Sequence, residues 1–255
     1  MRRKIRVLIV LDNLNLGGAE RQAFILSNHL NKQNDFEVFI TALLPEGNLL
    51  NSNFDLSSFI KVQPFYDYPN LILKIFEMVR FSIRLRKLKP DVIITYTIRP
   101  NVAVNFAWQL TGAKCIFWNQ RDEGFGFSNK RDILFNWAFT NTSFYIANSS
   151  SARNAIILRS PKVESKIHVI TNGSVPQQPR YTNQYWKDQL RLDDRPACMM
   201  IANLTKRKDH ETVIRSWNYL KYCIKPLILP VLILVGEKSD TFENLFKMIH
   251  EFELD

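Results

Sequence analysis

Four short segments of this 255-residue chain bring together residue types that bind or move charged groups. The first is Gly17-Gly18-Ala19-Glu20-Arg21, which follows an apolar run at residues 6–11 and a loop at 12–16. A glycine pair between a first strand and a first helix lets backbone approach a ligand, and the free N–H groups at the helix start attract phosphate. The same pair also suits a tight strand-to-helix turn with no ligand. Neither the Gly-x-Gly-x-x-Gly dinucleotide fingerprint nor the Gly-Lys-Ser/Thr of a Walker loop is present. The second segment, residues 119–126 (NQRDEGFG), sets Arg121 beside Asp122 and Glu123. Arg121 suits a phosphate, and either carboxylate suits sugar hydroxyls or the work of a base; a solvated, salt-bridged loop is the alternative. The third, residues 148–151 (NSSS), reads chiefly as a helix cap. The fourth, residues 203–210 (NLTKRKDH), puts Lys206, Arg207 and Lys208 just ahead of a helix. Their charges add to the positive end of the helix dipole and suit a diphosphate. A solvated charge run is the plain alternative.

These segments need a scaffold that ends its strands along one edge. Strands are expected at residues 6–11, 37–42, 59–62, 92–96, 114–118, 144–147 and 167–170. Helices are expected between them at 19–31, 71–88, 101–111, 130–140 and 150–159. Such alternation implies a parallel sheet with helices on both faces, and ligands bind such sheets at the carboxyl ends of the strands. Regularity lapses at residues 172–182 (NGSVPQQPRYT), which read as an interdomain connection. A second series follows: strand 198–202, helix 210–222, strand 230–236, helix 241–252. Two parallel strands fall short of the five or six that such a sheet usually has, so this second domain is expected to be incomplete.

Composition narrows the classes. The three cysteines are scattered and the four histidines form no metal-spaced cluster, so neither a disulfide framework nor a metal site is expected. Met1 to Lys4 and the apolar run after them mimic a leader, but Asp12 interrupts the run, and it reads as a first strand. Net charge is +10 and lopsided: residues 1–175 hold 22 Lys/Arg against 13 Asp/Glu, residues 176–255 hold 12 against 11. An anionic partner for the first part is implied. No nucleic-acid motif accompanies the charge, so nucleic acid is not expected. In residues 71–88, Ile72, Ile75, Phe76, Val79 and Ile83 share one helical face, with Arg80, Arg84 and Lys87 on another. That pattern suits an anionic membrane surface or, alternatively, a core-packed helix with a solvated basic back.

Taken in order, these segments resemble the retaining GT-B glycosyltransferases of family 4. The resemblance rests on residues 17–21 (GGAER), 89–93 (KPDVI), 148–150 (NSS), 167–173 (IHVITNG) and 201–215 (IANLTKRKDHETVIR). It implies an α/β chain of two Rossmann-like doubly wound domains, here 1–174 on the acceptor side and a partial 175–255 that holds the nucleotide-sugar. It further implies a UDP- or GDP-sugar donor, a glycan or lipid-linked acceptor in surface polysaccharide or glycolipid assembly, no metal cofactor, and a cytoplasmic place at the inner membrane face. Lys208 matches the family lysine that binds the donor diphosphate. Gly17, Gly18 and Asn203 would also meet the donor, while Glu20, Arg21, Asn119 and Glu123 would face the acceptor. Catalysis would fall to Lys206, Arg207, Lys208, Arg121 and Asp122. Because transfer proceeds on one sugar face, stabilising the departing diphosphate is the main task and no nucleophile is required. Asn203 stands where an arginine often precedes the lysine, and residues 119–122 occupy the region of a frequent histidine. The family's pair of donor-binding glutamates would lie past Asp255, so impaired transfer is expected. A non-catalytic relative that binds anionic lipid or a protein is the alternative.

Overall fold

The computed structural model describes residues 3–15, 17–44, 47, 71–127, 132–174, 176, 178–192, 195–224 and 228–254. They form two compact units, Met1–Val175 and Pro176–Asp255. In the first, β1 (Ile5–Asn13), β2 (Phe36–Leu44), β3 (Val92–Tyr96), β4 (Cys115–Gln120), β5 (Phe144–Ala147) and β6 (Ile167–Val169) make one sheet in the order β2-β1-β3-β4-β5-β6. All pairings are parallel, with Ile9 opposite both Ile40 and Ile94. The strand expected at 59–62 lies outside the described residues.

Alternation along the strands fixes two cores. Val7, Ile9 and Leu11 join Val38, Ile40 and Ala42 beneath Ala23 and Phe24 of α1 (Gly18–Asn31). Leu8, Val10, Ile93 and Ile116 face the other way, against Phe81 and Leu85 of α2 (Leu71–Lys87) and Ala103 and Val104 of α3 (Ile98–Asn105). That second face continues through Trp118, Tyr145 and Ala147 to α5 (Ile133–Thr140) and α6 (Ser150–Arg159). Right-handed crossovers require this arrangement, because the chain reverses direction after β2.

The stripe on α2 is not core-packed. Phe81 and Leu85 turn inward, while Ile72, Phe76, Val79 and Ile83 are exposed. The side chain of Ile75 lies outside the described residues. The helix expected at 101–111 is two: α3 begins earlier, and α4 (Trp108–Thr111) follows a break. Pro100 falls in the first turn of α3, where a backbone N–H has no helical partner to lose. Asn105 then donates its amide to the Asn101 carbonyl at 2.7 Å, and the chain tightens with Ala107 N–H on the Val104 carbonyl at 2.9 Å. Gly112 closes α4 in the left-handed region, at φ +83°.

The caps are side chains. Asp132 accepts from Phe135 N–H at 3.0 Å, and Ser149 accepts from Ala152 N–H at 3.1 Å. Ser149 is thus the cap among the three serines, as expected of that segment. The helix expected from residue 130 begins at Ile133, and residues 128–131 lie outside those described.

The second unit comprises α7 (Asn183–Gln189), β7 (Ala197–Ile201), α8 (His210–Tyr219), β8 (Val231–Val235) and α9 (Phe242–Glu251). β7 and β8 pair in parallel, Met199 opposite Ile233. Leu204, Ile214 and Leu245 form its small core. Gly236 is where the two strand ends close on each other: a Cβ there would sit 1.9 Å from the Ala202 carbonyl oxygen. Helix α8 stops at Tyr219 and passes into a wider turn, Leu220–Ile224. A groove of about 780 Å³ on this unit is lined by Trp186, Leu190, Met199, Ile233 and Val235, among others.

One buried group joins β3, β4 and α3. Asn101, fully buried, accepts from Thr95 Oγ1 at 2.6 Å and donates toward the Asn119 carbonyl at 3.4 Å. Asn101→Ala removes both of these bonds while Thr95 Oγ1 keeps the Phe117 carbonyl at 3.1 Å, so a loss of about 0.5–1.5 kcal/mol is expected from denaturant unfolding. A loss below about 0.5 kcal/mol would show the network to be dispensable.

Candidate active site

The carboxyl ends of β1, β3, β4 and β5 gather a polar rim. Asp12 stands near the end of β1, 3.6 Å from Arg99 Nη1 at the start of α3. Its Oδ1 is buried and has no hydrogen-bond partner among the described residues. Burial raises its pKa above the ordinary 3.8, against the opposing pull of Arg99. Thr97, just past β3, has φ +69°, a conformation that a β-branched residue rarely adopts. Its buried Oγ1 likewise has no described partner. The Asn148 Oδ1 after β5 is a third such atom.

Glu20 decides what the glycine pair does. Its side chain folds back over the start of α1, so that a Cβ on Gly17 would lie 2.5 Å from Oε2. The N–H groups of Glu20 and Gly17 hold the carboxylate. Burial is the main cause raising its pKa, and the negative charge of Asp12 adds to it. The structure places the Glu20 carboxylate at the start of α1, where the sequence suits either a phosphate or a plain turn. Gly17 makes room for Glu20, and Gly18 has open space around it. Arg21 is exposed, and its N–H donates to the Gly17 carbonyl at 3.1 Å. Gln22, which carried no sequence signal, clamps α1 to the loop after β6: it donates to the Gly173 carbonyl at 2.6 Å and accepts from Gly173 N–H at 2.9 Å.

Arg121 is the hub of the β4 end. It hydrogen-bonds Asn172, reaches Asn119 Oδ1 at 3.4 Å, and lies over the Tyr96 ring at 5.6 Å. Its carbonyl accepts from Asn148 Nδ2 at 3.2 Å. Burial lowers the Arg121 pKa and pushes that of Tyr96 up to about 12. Asn119 is not on the loop, as the sequence suggested, but in β4. There it is buried, and it is occupied with Arg121 and with Tyr96, whose hydroxyl it hydrogen-bonds. Asp122 is also committed elsewhere. It accepts from Gln120 Nε2 at 2.8 Å and from Gly124 N–H at 2.7 Å, while Gln120 takes the Trp118 indole N–H at 3.0 Å. This carboxylate ties the loop, in which Gly124 (φ +85°) must be glycine. Glu123 is exposed.

The basic triplet belongs to the second unit. Lys206–Lys208 form a short 3-10 turn after β7, and all three side chains are exposed. Asp209, at φ +53°, separates them from α8 and accepts from Thr212 N–H at 3.4 Å. Asn203 Oδ1 accepts from Glu237 N–H at 3.4 Å. Among the described residues no group of three or more His, Cys, Asp or Glu is placed to hold a metal ion.

A six-stranded parallel sheet with helices packed on both faces and a polar rim at its carboxyl edge defines a Rossmann-like α/β unit. The family model for Glycosyltransferase Family 4 matches residues 16–177, well over half of the chain, and the chain belongs to that family. Among solved structures, Anabaena Alr3699/HepE in complex with UDP-glucose matches with a TM-score of 0.77 at 18% identity, over 98% of this chain and 67% of its own. The apo lipopolysaccharide outer core galactosyltransferase WaaB matches with 0.63 at 15% identity, over 98% and 66%. A glycosyltransferase from Rickettsia africae matches with 0.69 at 17% identity, over 99% and 66%. A UDP-N-acetylglucosamine 2-epimerase shares the fold, with 0.64 at 12% identity. No curated protein matches the sequence. The fold class is GT-B, and the chain spans about two thirds of the length of these neighbours.

Asp12 yields a test of the rim. A folded state that holds a carboxyl proton more tightly than the unfolded chain loses stability as pH rises from the ordinary carboxyl value through the raised one. Asp12→Asn should therefore raise the melting temperature at about pH 7 and leave it nearly unchanged at about pH 3. A lower melting temperature at neutral pH would show that the Arg99 pair outweighs burial.

Proposed function

We propose that this chain carries the acceptor side and the first part of the donor side of a retaining glycosyltransferase. The enzyme would move a sugar from a UDP- or GDP-sugar to a glycan or lipid-linked acceptor. The single observation that carries the donor half is the exposed turn Lys206–Lys208, set between the end of β7 and the start of α8. Lys206 and Lys208 are exposed at that point and can meet a diphosphate there. Lys208 takes the diphosphate, with Lys206 and Arg207 sharing the negative charge that grows as the glycosidic bond breaks. As the bond from the anomeric carbon to the departing phosphate oxygen breaks, the acceptor's hydroxyl oxygen bonds to that carbon and gives its proton to the phosphate, so no protein nucleophile takes part.

Asp12, Glu20 and the Thr97 hydroxyl supply hydrogen-bonding groups for acceptor hydroxyls, and Arg121 holds the rim's shape through Tyr96 and Asn172. Asp122, which ties its own loop, leaves the catalytic set on this reading. The place of action is the cytoplasmic face of a membrane where surface polysaccharide or glycolipid is assembled. That Alr3699/HepE was solved with UDP-glucose supports the choice of donor class.

Calorimetry with UDP-glucose, UDP and GDP tests the donor half. Heat is expected with a uridine or guanosine diphosphate, and Lys208→Ala should weaken it by about tenfold or more, the range of a lost charged hydrogen bond. Asp122→Asn should leave that affinity within about twofold, because it removes no donor contact. Absence of heat for every nucleotide would instead favour a non-catalytic relative.

A further inference from the structure

Past β6 the chain runs without helix or strand over residues 170–174, and there it carries the dipeptide Asn172-Gly173, both residues exposed. Neither packing nor backbone geometry demands that glycine. Its φ lies outside the left-handed region, and a Cβ on it would meet only Gln22 Oε1, at 4.0 Å. What the missing side chain does leave open is the backbone nitrogen of Gly173, next to the Asn172 carboxamide. A nitrogen so placed can attack that carboxamide, because the ring that closes has five members and no side chain crowds the approach.

Two side chains bear on the reacting atoms, in opposite directions. Gln22, on α1, accepts from the Gly173 N–H at 2.9 Å and donates to the Gly173 carbonyl at 2.6 Å. The N–H proton must leave before the nitrogen attacks. A carboxamide oxygen is too weak a base to take it, so Gln22 only holds the proton and the peptide plane where they are. Arg121 donates to Asn172 Oδ1. That contact draws electrons from Cγ and stabilises the oxyanion formed when the carboxamide carbon is attacked. Arg121 also gains from the product. Its described partners are Asn172, Asn119 and the face of Tyr96, and none of them is a carboxylate. The neighbouring Asp122 is committed to Gln120 and Gly124. A carboxylate at position 172 would give this half-buried guanidinium a partner of opposite charge.

We propose that Asn172-Gly173 is a self-modification site of this chain, primed by Arg121 and held in check by Gln22. The Gly173 nitrogen gives its proton to solvent base and bonds to Asn172 Cγ. The Cγ–Nδ2 bond breaks, and ammonia leaves with a proton that solvent returns. Water then opens the resulting succinimide at either carbonyl, which gives aspartate or isoaspartate at position 172. The aspartate keeps the main chain as it was and puts a carboxylate on Arg121. The isoaspartate routes the main chain through Cβ and so adds one methylene between β6 and Pro176, where the second unit begins. Gly173 then moves off Gln22, and the loop loses its tie to α1.

Ageing the full chain at mildly alkaline pH, then mapping its peptides by mass spectrometry with aspartyl and isoaspartyl forms separated, tests it. Both products are expected at position 172. They should form about tenfold more slowly in the folded wild type than in the same chain unfolded in urea, the weight of a hydrogen bond that must break first. Gln22→Met keeps the bulk, removes both bonds to Gly173, and should speed the folded rate about tenfold. Adding Arg121→Met to that variant should slow it again by about tenfold, through loss of the oxyanion's donor. Gly173→Ala should nearly abolish the products and leave the melting temperature unchanged, since the added Cβ has room. Each rate is taken well below the melting temperature of its own chain, and the folded-against-unfolded comparison needs no variant. A wild-type rate that is the same folded and unfolded overturns the proposal. So does a Gln22→Met rate equal to that of the wild type, or a rate in that variant that Arg121→Met does not reduce.

Discussion

A hydrogen bond inside the sheet governs where the rim's charges stand. Thr95 and Asn101, both buried, meet at 2.6 Å at the point where β3 gives way to α3. Asn101 also reaches the backbone of β4 at Asn119, the residue whose side chain steers Tyr96 and Arg121. The chain between Thr95 and Asn101 has only a few residues in which to turn from strand to helix. Thr97 takes the strain at φ +69°, and Arg99 is delivered opposite Asp12. Without an anchored Asn101, neither the strained threonine nor the Arg99–Asp12 pair would be fixed. Strain of this kind, of order 1–3 kcal/mol, persists only where surrounding contacts over-determine it.

The same economy explains Glu20. A helix N-terminus inside a protein needs an acceptor for its first N–H groups, and α1 supplies one from its own first turn. Gly17 permits this because no side chain stands in the carboxylate's way. Burial raises the pKa of both Asp12 and Glu20, and at Glu20 the Asp12 charge adds to the rise. Carboxyls of that kind suit hydroxyl groups, which both donate and accept.

Much of the scaffold was legible in the sequence because parallel strands buried on both faces are nearly continuous apolar runs. β3, β5 and α6 lie where the pattern put them. What escaped depends on contacts between distant residues. Gln22 and Gly173 are 151 positions apart, and no local signal marks either as a partner of the other. Asn119 and Gln120 read as loop residues by polarity, yet the register opposite Ile146 and Ala147 keeps them in the strand. Helix α7 buries no residue, so it has no apolar period to announce it. Its start is held instead by Thr182, which accepts from Tyr185 N–H at 3.2 Å. α2 was ambiguous for the opposite reason: both of its faces are apolar, and periodicity alone cannot say which one meets the sheet.

The charges are sorted by unit in a way that bears on the proposed chemistry. The first unit buries acids at its rim and spends Arg121 on Tyr96, Asn119 and Asn172. The second unit holds three consecutive basic side chains exposed on one short turn. A guanidinium already stacked and hydrogen-bonded would have to give up those contacts to follow a moving charge, and the site would lose its shape as it did so. A lysine on an exposed turn gives up only water. Stabilising a leaving diphosphate rewards groups whose interaction grows during the reaction, not groups already satisfied before it. On the proposed reading, the leaving anion therefore falls to the exposed lysines of the second unit, Lys206 and Lys208.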